Sequence, residues 1–186
     1  MARGAHTLGV IGHRLYAAGG APDGEGIPGA AFKSLAIYDF DSRKWSKGPP
    51  MSVAREHLAG AVAGGFLYTL GGRAAGHDGN YAVAERYDPE RARWERLPDL
   101  HTARSGTEAT TLAGRVVVAG GEATDGTIEE VELYNPKRNR WKFLPDMLTS
   151  RHGLGLVSNG HRVYAIEGGP TPAFSFSDKL EYLDVP

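Results

Sequence analysis

The feature that most restricts what this chain can become is a fourfold internal repeat. Arg3, Arg55, Arg104 and Arg151 open four units, and the pairs Gly19-Gly20, Gly71-Gly72 and Gly120-Gly121 each begin sixteen residues after the first three anchors. In the fourth unit Gly168-Gly169 begins seventeen residues after its anchor, which reads as an insertion of Glu167. Tyr38, Tyr87 and Tyr134 are followed seven residues later by Trp45, Trp94 and Trp141, and each tryptophan lies ten residues before the next anchoring arginine. A period near fifty residues specifies stacked copies of one supersecondary unit, each burying its apolar face against its neighbours. The drift in spacing falls between the glycine pair and the tyrosine, so one loop varies while the rest is framework.

Within each unit four short segments have strand character. In the second they are HLAGAVAGG, FLYTLGG, AVAERYDP and RWERLPDL, with Gly, Asp and Pro at their boundaries. The first segments are rich in small residues and the later ones carry the aromatics. Radially stacked sheets need that gradient, because the gap between them is narrow at the axis and wide at the rim. The connections YDFDSRKW, YDPERARW and YNPKRNRW place Asp or Asn after the tyrosine, where a short polar side chain organises a tight turn.

An arginine before the first strand, a Gly-Gly ending the second, a Tyr-Asp-Pro-like third and a Trp-led fourth together resemble the kelch repeat. The resemblance extends over the whole chain and implies an all-β propeller of four-stranded antiparallel blades around a channel, with the first strand innermost. We expect a single array over residues 1–186, with repeats at about 3–54, 55–103, 104–150 and 151–186, and a fourth blade lacking its outer strand. The ending is similar to the last repeat of bacterial kelch proteins and of the galactose-oxidase-like central domain. It leads us to expect the C-terminal four repeats of a six-bladed propeller. An arc of blades would expose apolar faces at its two ends, and so is expected to self-associate, to close with four blades, or to aggregate.

Composition removes several function classes. With 21 basic and 22 acidic residues there is no global field to attract nucleic acid or an anionic membrane. No apolar run reaches the roughly 18 residues of a membrane span, and no export signal is visible at the start, so a cytoplasmic location is expected. There is no cysteine, which eliminates thiolate ligands and nucleophiles. The seven histidines form no close ligand set, and no metal or cofactor is expected. Gly24-Glu25-Gly26-Ile27-Pro28-Gly29 fits a dinucleotide pattern in letters only, because a strand-like segment follows where a helix is required. Lys137, Arg138, Arg140 and Lys142 around Trp141 read as a solvated hairpin, and His13 and His161 as matching turn residues. No GxSxG is present, and Ser105 has no identifiable base.

The candidate site residues are the anchors and their neighbours: Arg3, Arg55, Arg104 and Arg151, with Glu56, His57, Glu108 and His152. The kelch resemblance puts these turns on the face where partners dock, and a planar guanidinium can grip a carboxylate through two parallel hydrogen bonds. The competing reading is that each arginine satisfies carbonyls and acids within the protein. The long loops APDGEGIPGAAFKS, RAAGHDGNYAV and EATDGTIEE would add groups to the same rim. The expected function is a non-catalytic module holding a protein or peptide partner, acidic in the simplest case. The alternative is a metal-free carbohydrate-active propeller similar to sialic-acid mutarotases. A copper-radical oxidase is a poor match without cysteine.

Overall fold

The computed structural model describes residues 2–22, 30–74 and 79–185. The dinucleotide-like segment at Gly24–Gly29 and part of the loop after Arg73 lie outside them. Among the described residues, fifteen strands form four blade sheets. The first blade is β1 (Thr7–Ile11), β2 (Arg14–Ala18), β3 (Leu35–Asp39) and β4 (Lys44–Gly48). The second is β5 (Ala59–Ala63), β6 (Phe66–Leu70), β7 (Ala84–Asp88) and β8 (Arg93–Arg96). The third comprises β9 (Glu108–Leu112), β10 (Arg115–Ala119), β13 (Val131–Asn135) and β14 (Arg140–Leu144), with a two-stranded ribbon, β11 (Glu122–Ala123) and β12 (Gly126–Thr127), between its inner and outer pairs. The fourth has three strands, β15 (Gly155–Asn159), β16 (Arg162–Ile166) and β17 (Leu180–Asp184). All pairings within the blades are antiparallel between consecutive strands of each blade. The expected blades are therefore present, including the short fourth one.

Why the segments form these elements follows from side-chain size. The inner strand β5 packs beside β1 and β9, and β9 beside β15. A Cβ on Gly60 would come within 1.8 Å of the Thr7 hydroxyl, and one on Gly9 within 2.6 Å of Val62, so only glycine lets these inner strands approach so closely. Further out, Tyr16 meets Tyr87 and Tyr68 meets Tyr134 across successive blades, with ring centroids 5.7 and 6.0 Å apart. Between the third and fourth blades Val117 and Leu183 replace that aromatic pair. Three apolar cores result, one at each blade junction, built around Tyr16, Leu58 and Tyr87, then Tyr68, Val118 and Trp141, then Leu133, Leu156 and Val163.

The glycine pair explains how adjacent blades lock. Gly20, Gly72 and Gly121 donate their N–H to the carbonyls of Arg55, Arg104 and Arg151 on the following blade, at 2.8, 2.8 and 2.9 Å. The first glycines have φ of 60 to 71°, and a Cβ on Gly19, Gly71 or Gly120 would lie 2.5–2.7 Å from those same carbonyls.

The fourth unit carries no insertion. Arg151 donates to Glu167 O just as Arg3, Arg55 and Arg104 donate to Gly19, Gly71 and Gly120 O, all at a separation of sixteen. Glu167-Gly168 is therefore the fourth pair, with φ of 55 and 87°. A glutamate is accommodated in the glycine position because no following arginine carbonyl presses on it among the described residues.

Candidate functional site

The anchor arginines are clamps within the protein. Arg55, Arg104 and Arg151 have no exposed surface. Arg55 Nη1 donates to the carbonyls of Gly71 (2.6 Å) and Val83 (2.9 Å), while Nη2 donates to Thr69 Oγ1 and to Glu85 at 2.8 Å. Arg104 repeats the pattern with Gly120 O, Glu130 O and Glu132, and Arg151 with Glu167 O, Lys179 O and Glu181. Each carboxylate has a second task. Glu85 accepts from Ser52 N, Glu132 from His101 N and Thr102 N, and Glu181 from Leu148 N and Thr149 N, which fixes the turn leading in from the preceding unit. Desolvation pulls Arg55 down to about 10 against the pull of Glu85, so it remains charged at neutral pH. These three arginines, expected at the partner face, are instead buried, with their terminal guanidinium nitrogens bonded to strands and acids inside the molecule.

Arg3 departs from this rule. Ala36 stands where Glu85, Glu132 and Glu181 stand in the other blades, and among the described residues Arg3 bonds to Gly19 O, Ser34 O and Ser34 Oγ at 2.9, 3.3 and 3.1 Å rather than to an acid. It is also only partly buried.

The residues beside the anchors do come together. The position after each arginine bridges the position after each glycine pair: Gly4 with Ala21, Glu56 with Arg73, Ser105 with Glu122, and His152 with Gly169. One residue further, the backbone turns left-handed at Ala5, His57, Gly106 and Gly153, with φ between 49 and 58°. His57 N donates to Ala5 O, Gly106 N to His57 O and Gly153 N to Gly106 O, at 2.8–2.9 Å, so hydrogen bonds run from blade to blade around the mouth.

A polar cluster sits on this belt. Arg73 donates Nε to Glu56 Oε1 at 2.8 Å and Nη1 to Glu122 Oε1 at 3.0 Å, joining the second blade to the third. His57 Nδ1 lies 3.0 Å from Glu56 Oε2 and 3.4 Å from Arg73 Nη2. His152 Nε2 is 3.6 Å from Glu122 Oε2, and Glu122 also accepts from Ala173 N. Burial works against ionising Glu56, but hydrogen bonds from His57 and Arg73 outweigh it and hold the carboxyl below its ordinary value. Glu108, at the start of β9, is raised by burial, which its hydrogen bond from Ala109 N only partly offsets.

Of the expected site residues, His57 and His152 thus join one cluster with Glu56, while Glu108 occupies a separate, partly buried position on β9. Arg73 and Glu122 were not among the expected site residues. The signal that finds them is their place directly after the glycine pair, a position whose identity changes from Ala to Arg to Glu to Gly along the blades. The basic residues around Trp141 are exposed on the β13–β14 hairpin while Trp141 itself is buried. His13 and His161 are exposed turn residues near Asp41 and Asp184. Among the described residues no group of three or more side chains could hold a metal ion, and no helix is long and apolar enough to cross a membrane.

Two models of the kelch motif match the chain, over residues 2–52 and 103–148. The chain is a kelch-repeat protein. It is similar to Kelch-like protein 15 of Danio rerio, at 29% identity over 128 residues that cover 66% of this chain and 20% of that protein. An F-box/kelch-repeat protein of Arabidopsis thaliana is 34% identical over 100 residues, covering 52% of this chain and 26% of its own length. The alignments thus span about a fifth to a quarter of these relatives. Among solved structures, that of YjhT superposes with a TM-score of 0.81 at 16% identity, covering 99% of this chain and 62% of that one. This likeness supports the kelch propeller fold.

Proposed function

We propose that this kelch protein is a non-catalytic binding module and that its partner, a protein or peptide, docks on the mouth formed by Glu56, His57, Arg73, Glu122 and His152. The observation that carries this reading is His57. Its counterparts are Ala5, Gly106 and Gly153, yet a bulky imidazole is held at φ 49° there. Non-glycine residues in that region cost about 1–2 kcal/mol, and strain of this kind concentrates at functional sites. The side chain it presents is partly exposed and flanked by a carboxylate and a guanidinium. Glu56 and Glu122 share the single guanidinium of Arg73, so the cluster can both donate and accept. That favours a polar partner of mixed charge over a purely acidic one.

A peptide-display selection against residues 1–186, with the selected peptides mapped by amide chemical-shift changes, tests this. Shifts centred on Glu56, His57, Arg73, Glu122 and His152, with binding weakened by His57→Ala, are expected. Shifts confined to the opposite end of the blades would overturn it.

The second reading, a metal-free sugar-converting propeller, rests on Glu108 at the start of the innermost strand β9, whose carboxyl burial holds above its ordinary proton affinity, as suits a general acid or base. Accelerated anomer exchange of acidic sugars, followed by NMR and abolished in Glu108→Gln, would favour it over the binding module.

A further inference from the structure

One histidine of the mouth is engaged through both nitrogens of its ring. His152 Nδ1 lies 3.0 Å from Gly169 O, and Nε2 lies 2.7 Å from Ala173 O. Both partners are carbonyl oxygens, which only accept. A neutral imidazole carries one N–H, so whichever nitrogen holds it, the other aims a lone pair at an oxygen. Two donors exist only in the imidazolium, and the carboxylate of Glu122 on β11 stands 3.6 Å from Nε2 to meet that charge.

What His152 grips is a strap, residues 170–176, between β16 and β17. Its other holds are polar as well. Glu122 Oε2 accepts from Ala173 N at 3.1 Å and Thr127 Oγ1 donates to Pro170 O at 3.0 Å, which ties the strap to the ribbon β11–β12 of the third blade. Apolar burial adds little at its tip, where Phe174 and Phe176 are 97% and 91% exposed. Ala173 is moreover held at φ 68°. That conformation is unfavourable for a residue with a Cβ and persists only where surrounding contacts over-determine it.

The geometry points to a proton-operated lid on the mouth: doubly protonated His152 holds the strap over Glu122, and loss of one proton releases it. Release turns one carbonyl contact repulsive, relieves Ala173 and frees Glu122 Oε2 to accept from a partner's N–H. The charged groups around the ring are Glu122 and, behind it, Arg73, which donates to Glu122 Oε1 at 3.0 Å and lies 3.4 Å from His57 Nδ1. The fourth blade and the strap present carbonyls to the ring. The lid is therefore closed in acid and opens as pH rises through the titration of His152. Its effect on binding rests on the reading of the mouth given above, whereas the lid itself is measured with no partner present.

The test follows the His152 ring nitrogens by nitrogen-15 NMR and the protection factor of the Ala173 amide by hydrogen exchange, on the 186-residue chain between about pH 5 and 8, where histidine charge changes. Protection at Ala173 should fall roughly tenfold or more on loss of the charged hydrogen bond, with the same midpoint as the ring. His152→Gln should leave the strap open at every pH while protection in β10 is retained. Thr127→Val should loosen the strap throughout yet keep its pH response. Protection indifferent to the His152 titration, a strap that stays closed in His152→Gln, or a ring already neutral while the strap is closed would overturn the proposal. So would a response that vanishes in His57→Ala, which would move the switch to the other histidine. None of these results bears on whether peptides map to the mouth, so the two proposals fail separately.

Discussion

Trp141 and Trp45 occupy the same place in two copies of one motif, and only one of them is buried. Trp141 is 6% exposed, bonded to Pro98 O and packed on Tyr134, whereas Trp45 is 58% exposed although it stacks on Tyr38 in the same way. The arginines divide similarly. Arg104 is fully buried against Glu132, while among the described residues Arg3 faces Ser34 and no acid. Among the described residues the third blade is covered on both sides, and the first by the second blade alone. The motif therefore does not carry its stability within one repeat. What each residue contributes depends on whether a preceding blade supplies its acceptors and its apolar cover, as expected of a quasi-one-dimensional stack held by nearest-neighbour interfaces.

Arg104→Ala should produce the largest separation between the two blades. Removing one member of a buried pair leaves Glu132 uncompensated and should cost about 3–5 kcal/mol, whereas Arg3→Ala should cost no more than about 1 kcal/mol. Urea denaturation of both variants measures this directly, and equal losses would break the comparison. Trp141→Ala should cost about 3–5 kcal/mol through lost burial and the cavity left behind, against less than about 1 kcal/mol for Trp45→Ala. The glycine pair gives a smaller contrast. Gly120→Ala meets the Arg151 carbonyl and should destabilise by about 1–3 kcal/mol, while Glu167→Gly should change stability by no more than about 1 kcal/mol in either direction.

The smallest effect concerns pH. Glu108 has a folded-state pKa raised above its unfolded value, so folding favours its protonated form. Its contribution is most favourable below the unfolded carboxylate pKa and is lost as pH rises through the folded value. Glu108→Gln should therefore gain stability relative to the parent at neutral pH and show no difference in acid. A variant less stable than the parent at neutral pH would contradict the assignment.

Strand positions were legible because they follow from local chemistry. The AGAVA and FLYTL segments between glycines and the Tyr-Asp-Pro turns became β5, β6 and the β7–β8 hairpin as expected. The ribbon β11–β12 was missed although Asp125-Gly126 is a hairpin turn signal, because the loop had been read only as variable. The Glu167 alignment failed because counting matched glycine letters, whereas the fold conserves a positive φ and a carbonyl acceptor. The arginines were the hardest to place. Guanidinium chemistry suits a partner's carboxylate and an internal one equally, and the deciding signal was a glutamate two residues before the third-strand aromatic or leucine, at Glu85, Glu132 and Glu181. Arg73 and Glu122 sit at a periodic position, directly after the glycine pair, but the residue type there changes from blade to blade, so a search for repeated side chains passes over them.

The account rests on the repeat arginines acting as internal clamps and leaving recognition to their neighbours. Guanidinium hydrogen exchange, resolved by nitrogen-15 NMR of arginine side chains, tests this most directly. Slow exchange at Arg55, Arg104 and Arg151, with faster exchange at Arg3, is the predicted result; uniformly rapid exchange at all four would contradict it.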